Sequence, residues 1–435
     1  MRREVLRLAV PAFLALVAEP MFLLADSAIV GYLGTAPLAG LGVASGILLT
    51  AVNIFVFLAY GTTAVVSRRL GAGDQKGAVS AGVDGMWLAL VLGVVAAAAI
   101  AIWAGPLVAV FGTSPEASAE AVTYLRISAL GIPPMLVVLA ATGVLRGMLD
   151  TQTPLVVATV GFTVNALLSL FLVHGVGWGI GGAAWGSVIA QTGMGLALAW
   201  VVVRGARQID ASLAFTPAGV LRSAIDGVPL LVRTLALRAV LLVTTWVAAG
   251  LGVAELAAHQ VAMTVWGALA FALDALAIAA QALTGRALGA GDVAGTRAVT
   301  WMMVRWSVWF GLGLGVLIVA LHRVIPLGFS SDDAVRTALA LTLLVVAVGQ
   351  PIAGIAFVLD GVLIGAGDAR WLAVAQTVFL VAYLPMVLAV WFSGVDGRAG
   401  LIWLWIAFTG YMAVRTAGLL WRARGDAWMV TGAAR

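Results

Sequence analysis

Five residues, Leu70-Gly71-Ala72-Gly73-Asp74, return as Leu288-Gly289-Ala290-Gly291-Asp292, displaced by 218 positions. The interval matters more than the pentapeptide. Gly143-Val144-Leu145 with Gly147 and Asp150 recurs as Gly361-Val362-Leu363 with Gly365 and Asp368 at the same displacement. Gly131 and Pro133 likewise find Gly349 and Pro351, and Val10-Pro11 find Val228-Pro229. One unit has therefore been duplicated with almost no drift in length, and any fold for this chain must contain two similar halves.

Each half is apolar. Hydrophobic residues fill 63% of the 435 positions and charged residues only 10%, against about a quarter charged in an average globular domain. This is the composition of an integral membrane protein. Segments bounded by charge or by Gly and Pro give twelve helices, near 8–33, 43–67, 82–111, 121–145, 155–175, 183–203, 224–250, 255–284, 299–325, 336–360, 371–393 and 399–421. The expected fold is all-α, with twelve transmembrane helices in two parallel six-helix repeats; six helices per half give both halves the same orientation. The expected domains are an N-terminal lobe at 1–203, a cytoplasmic linker at 204–222, and a C-terminal lobe at 223–435 with a short tail. Arg2-Arg3 before an apolar run resembles a secretion signal, but the run continues through Pro20 to Leu33 and reads as a retained first helix.

With the N-terminus inside, the inner loops and tails collect most of the Lys and Arg, from Arg2 and Arg3 through Arg68, Arg69 and Lys76 to Arg415, Arg422 and Arg435. The outer side has Arg126, Arg323, Arg336 and Arg398. Positive charge inside places both termini in the cytoplasm of a multi-pass protein of the inner cell membrane. Trp178, Trp185 and Trp309 suit the interfacial belt.

Several chemistries are excluded or unsupported. Cysteine is absent, which removes disulfides, thiol nucleophiles and thiolate metal sites. His174, His259 and His322 lack ligand spacing, so no metal site is expected. There is no Walker loop, nucleophile elbow or zinc-protease motif, and hence no catalytic residue to assign. No basic patch with interleaved aromatics points to nucleic acid. The Gly-Ala-Gly-Asp loops read as tight turns between helices.

A charge inside a membrane helix costs about 2.5–3.5 kcal/mol on insertion scales, so each one demands a reason. Glu19 and Asp26 are seven residues apart and share one face of helix 1, separated by about 10 Å, with Pro20 between them bending the helix. Asn165 and Ser169 lie one turn apart on helix 5, and Ser187 is at similar depth on helix 6. Asp26, Glu19 and Asn165 form the expected ion-coupling group, and Ser169, Ser187 and Asn53 the expected polar cavity residues. Asp26 either sits in a static hydrogen-bond network that only fixes helix packing or, as a buried acid alternately hydrated and dried, loads and releases a proton. In the second half, Arg233 and Arg238 on helix 7, Asp274 on helix 8 and Asp360 on helix 10 make a neutral set, read as a charge network that either holds the lobe together or gates it. An Asp360 at the cytoplasmic surface would leave that set. Met135, Met148, Met194, Met263, Phe55, Phe162 and Trp266 are candidates for an adaptable apolar lining.

Asp26-Ser27-Ala28-Ile29-Val30-Gly31-Tyr32-Leu33-Gly34, Leu256-Ala257-Ala258-His259-Gln260, Leu273-Asp274-Ala275-Leu276-Ala277-Ile278-Ala279-Ala280-Gln281-Ala282-Leu283 and Asp360-Gly361 resemble the DinF-like branch of the multidrug and toxic compound extrusion (MATE) family. That resemblance implies a two-lobed antiporter, working by alternating access, that exports organic, often cationic or amphipathic, small molecules. The exchanged ion is a proton or sodium, and no other cofactor is needed. Asp26 matches the helix-1 carboxylate of that branch and Asn165 its helix-5 polar position. Ser169 stands where some members carry a second carboxylate, and Arg233 and Arg238 where others carry an acid, which makes the proton the preferred ion. Glu19 beside Asp26 would supply oxygen ligands for sodium. Two rivals remain: a flippase for lipid-linked precursors, which needs cationic side chains left unpaired in a cavity, and a membrane scaffold, which needs larger loops than these. The bilayer and a small-molecule substrate are the expected partners of a monomer.

Overall fold

The computed structural model describes residues 2–433, and the side chains of residue 2 and of residues 19–25 lie outside that description. The first half contains α1 (Arg2–Gly31), α2 (Thr35–Ile54), α3 (Phe57–Gly71), α4 (Gln75–Ala109), α5 (Pro115–Ala129), α6 (Ile132–Gly147), α7 (Gln152–Leu170) and α8 (Gly179–Gln208), with a π-helical turn at Phe171–Gly175 after α7. Then follow α9 (Pro217–Leu251), α10 (Val253–Gly289), α11 (Val293–Leu321), the short α12 (Ile325–Phe329), α13 (Asp333–Gly365), α14 (Ala369–Phe392) and α15 (Gly397–Arg424). The described residues contain no strand.

Each expected span finds its helix or helix pair. Among the described residues nine helices are long and apolar enough to cross a membrane, with Thr35–Gly71 taken as one, and α5 with α6 makes a tenth that is bent by 51°. The helices α1 and α15 complete twelve. Contacts divide the chain into two compact units, Leu6–Gly227 and Val228–Arg435 with Met1–Val5. The connection between α8 and α9 belongs to the first unit and is tied down there. Trp87 Nε1 donates to the Leu213 carbonyl at 3.3 Å, and Thr216 Oγ1 donates to Asp84 at 3.1 Å.

The duplication is visible in backbone geometry. Asp74 caps α4 by accepting from Gly77 N at 2.9 Å, and Asp292 caps α11 by accepting from Gly295 N at 2.7 Å. The preceding Gly73 and Gly291 have φ of 81° and 76°, a left-handed conformation that ends α3 and α10 and that suits glycine. Helix crossings repeat too. A Cβ on Gly143 would come within 2.6 Å of the Ala59 carbonyl, and one on Gly361 within 2.3 Å of the Ala277 carbonyl, so both crossings require glycine.

The halves differ at two helices. In the first half α2 gives way to α3 at Phe55 and Val56, and α5 gives way to α6 at Leu130 and Gly131. The corresponding stretches of the second half, within α10 and α13, run without a break. For the second pair the sequence supplies a cause. Two successive prolines, Pro133 and Pro134, sit in the first turn of α6 and cannot donate to the carbonyls behind them, whereas α13 carries only Pro351, followed by Ile352.

Candidate functional site

The break between α5 and α6 sets up a cavity inside the first unit. Ser114 caps α5 by accepting from Ala117 N at 3.2 Å, with Pro115 at the first helical position, so the start of this short helix is fixed. Tyr124 and Ser128 then fall on its inner side. With Ser45, Leu48, Leu49 and Val52 of α2, Met135 of α6, Phe162 and Asn165 of α7, and Ser187, Gln191 and Met194 of α8, they line a cavity of about 90 Å³.

Asp26 stands one layer behind that lining. It is 2% exposed, and the hydroxyls of Ser169, Ser187 and Tyr124 face it, with Ser187 Oγ at 3.4 Å from Oδ2. Among the described residues no cation pairs with it. Asn165 is buried beside Ser169, whose Oγ donates to Asn165 Oδ1 at 3.4 Å. Among the described residues three buried polar atoms of this group have no hydrogen-bond partner: Asp26 Oδ1, Asn165 Nδ2 and Ser128 Oγ. Buried polar atoms are ordinarily satisfied, so a cluster of exceptions calls for an explanation.

The expected meeting of Asp26, Asn165, Ser169 and Ser187 is therefore present in the geometry, with Ser187 and Asn165 on the cavity wall and Ser169 behind it. Asn53 is elsewhere: its Nδ2 donates to the Leu49 carbonyl at 2.8 Å in its own helix, and it is not part of the lining. Glu19 and the bend expected at Pro20 lie outside the described side chains. Of the apolar candidates, Met135, Phe162 and Met194 line the cavity. Met148 is exposed, Phe55 packs near the Phe57 ring at 6.4 Å, and Trp266 stacks edge-on to Phe408 at 5.3 Å in the second unit. Met263 also belongs to the second unit. Tyr124 and Ser128 were not singled out by the sequence, because a tyrosine and a serine near a helix boundary carry no signal distinct from packing.

The second unit buries charge differently. Asp360 lies inside α13, 4% exposed, and is not at the surface. Arg233 Nε donates to its Oδ1 at 3.1 Å and a second Arg233 nitrogen pairs with Oδ2. Arg415 Nη2 is 3.1 Å from the same Oδ2. Arg415 had been counted with the cytoplasmic charges, but α15 extends to Arg424 and carries it inside the unit, 3% exposed; Arg68, near the end of α3, is buried in the same way. Asp274 is half-buried, close enough for its charge to act on Arg415, and Arg238 is exposed on α9. Around the network Tyr411 bonds with Gln376, and Thr244 with Tyr383 at 2.7 Å. With Arg233 engaged by Asp360, the unpaired cationic wall required by a lipid-precursor flippase is not built from it.

A family model, MatE, matches residues 11–171 and 229–391, two stretches whose starts are again 218 apart and which together span most of the chain. This protein belongs to the MATE family. It is thus a multi-pass membrane transporter and not an enzyme. Protein DETOXIFICATION 44, chloroplastic, of Arabidopsis thaliana is 32% identical, with 96% of this chain and 81% of the relative covered. DNA damage-inducible protein F of Escherichia coli K12 is 28% identical, covering 95% and 91%. Among solved structures, a MATE protein crystallised in a bent conformation superposes with a TM-score of 0.89 at 22% identity, covering 98% of this MATE chain and 96% of the other.

Proposed function

We propose that this MATE transporter exports organic, often cationic or amphipathic, compounds by alternating access, in exchange for protons carried on Asp26. The observation that carries the reading is the position of that carboxyl: buried with no cation beside it among the described residues, with one oxygen unpartnered there, directly behind the cavity wall formed by α2, α5, α6, α7 and α8. A carboxyl so placed can be charged when water reaches it and neutral when it is dry, and Tyr124 and Ser187, whose hydroxyls face it from the cavity wall, separate it from cargo. The driving force is sufficient, because each unit charge crossing 100 mV releases about 2.3 kcal/mol and a pH gradient adds to it. Asn165, Ser169 and Ser187 take part in coupling or cavity polarity, and the Arg233–Asp360–Arg415 cluster with Asp274 and Arg238 holds the second lobe. Residues 204–222 link the two lobes on the cytoplasmic side, both termini face the cytoplasm, and the protein acts as a monomer in the inner cell membrane.

Purified protein in liposomes, with ethidium as cargo and separately imposed proton and sodium gradients, tests this. A proton gradient is expected to drive ethidium movement in the wild type and to fail with Asp26→Asn. Transport driven by sodium alone, or undiminished in Asp26→Asn, would overturn the assignment.

A further inference from the structure

Two of the side chains that line the cavity from α8, Gln191 and Met194, are three residues apart and share one face of that helix. Both are long and flexible, and either could fill much of the opening. Instead each lies flat against a glycine of a facing helix. A Cβ built on Gly161 of α7 would come within 2.2 Å of Met194 Cγ and 2.3 Å of its Sδ. A Cβ on Gly131, at the break between α5 and α6, would come within 2.0 Å of Gln191 Oε1. These contacts are far inside van der Waals distance, so a methyl group at either position must displace the side chain above it.

The cavity that both side chains line is open space into which each can be displaced. Met194 is 5% exposed and its neighbour Gly195 is pressed against Pro134, where a Cβ would be 3.0 Å from the carbonyl oxygen. Interiors are packed at crystal-like density and a displaced thioether cannot be absorbed elsewhere at low cost.

We infer that Gly161 and Gly131 set the upper size limit of the cargo, by giving Met194 and Gln191 a place to lie other than the cavity. The two residues act through Met194 and Gln191 and do not touch cargo themselves. This rests on the cavity being the transport site, as proposed above. Gly161 governs an apolar part of the wall, beside Phe162 and Met135, and Gly131 a polar part, beside Ser128. In Gly161→Ala the thioether enters the opening and large planar cargo loses room first. In Gly131→Ala the amide of Gln191 enters, and both size and polarity change.

The test is efflux of a graded series, tetraethylammonium, tetraphenylphosphonium and rhodamine 6G, from liposomes containing each variant. Gly161→Ala is expected to lose about tenfold for rhodamine 6G while tetraethylammonium stays within about twofold, the scale of effect that one methylene has in an apolar pocket. Gly161→Ala/Met194→Ala is expected to regain rhodamine 6G, which a merely destabilised protein would not do. Met194→Ala alone should favour the largest cargo by about threefold or more relative to the smallest. Should Gly161→Ala not assemble, that last ratio decides, and an unchanged ratio overturns the inference. Met135→Trp separates the two readings. If it leaves all three efflux rates intact, the cavity is not the route and the proposed function fails. If it blocks them while Gly161→Ala preserves the wild-type size profile, the role given to the glycines is wrong and the cavity stands.

Discussion

Among the described residues of the unit Leu6–Gly227 the carboxyl of Asp26 is buried with no cation beside it and a cavity close by, whereas in the unit from Val228 onward a buried carboxyl, Asp360, is clamped by Arg233 and Arg415. Both units descend from one duplicated segment and keep the same turns and helix crossings. The positions 218 further on from Asp26 and Asn165 are Thr244 and Tyr383, which hydrogen-bond to each other at 2.7 Å and close the place where an acid stands in the first half. The position equivalent to Asp360 in the first half is Thr142, and those equivalent to Arg233 and Arg415 are both alanine. Charge has thus been placed at different points of one scaffold for different purposes. Held by two arginines, the carboxylate of Asp360 is fixed, whereas Asp26 is the group proposed above to exchange a proton. The helix breaks follow the same division: both lie in the first unit, and α2, α5 and α6, which flank them, contribute to the cavity wall.

The largest stability effect expected from this contrast is at Asp360. Asp360→Asn leaves two buried guanidinium groups without their carboxylate and should cost about 3–5 kcal/mol, read as a large fall in melting temperature in detergent; a fall of no more than a degree or two would show that the network is not the support of its lobe. Next come the matched crossings. Gly361→Ala and Gly143→Ala each force a methyl against a backbone carbonyl and should cost about 1–3 kcal/mol, with Gly361→Ala the larger because its approach is tighter and adjoins Asp360. The reverse order in melting experiments would contradict the packing described. Smaller again, Asp74→Ala and Asp292→Ala each remove a helix cap and should cost about 1 kcal/mol, alike in both halves, and a clear inequality would break the claimed equivalence of the two turns. Asp26→Asn should change the melting temperature least, by less than about 1 kcal/mol, because no ion pair is lost; a drop as large as that of Asp360→Asn would mean that Asp26 is structural.

The fold was largely legible. Twelve apolar segments and one repeated interval suffice for twelve helices in two halves, because membrane insertion forces every span to be long, apolar and helical. The polar residues of α1, α7 and α8 were legible for the converse reason, since each is expensive in lipid. What escaped was set by three-dimensional detail. Tyr124 and Ser128 are ordinary membrane-helix residues until the break at Leu130 and Gly131 aims them inward, and 121–145 reads as one helix in sequence. Arg415 hides in a run of arginines near the end of α15 and separates from them only when the helix is seen to continue past it. Asn53 shows the opposite error: a polar residue at a suitable depth satisfied by the Leu49 carbonyl one turn back in its own helix, which polarity alone cannot distinguish from a cavity residue.

The account turns on whether the unpaired acid of the first half gives up its proton when cargo is exchanged. Purified protein in weakly buffered detergent solution, with a pH-sensitive dye and added ethidium, measures this directly. The wild type should release protons on binding ethidium, and Asp26→Asn should bind ethidium without releasing any. Equal release from the two proteins, or binding by the wild type with no release at all, would contradict the assignment of coupling to Asp26.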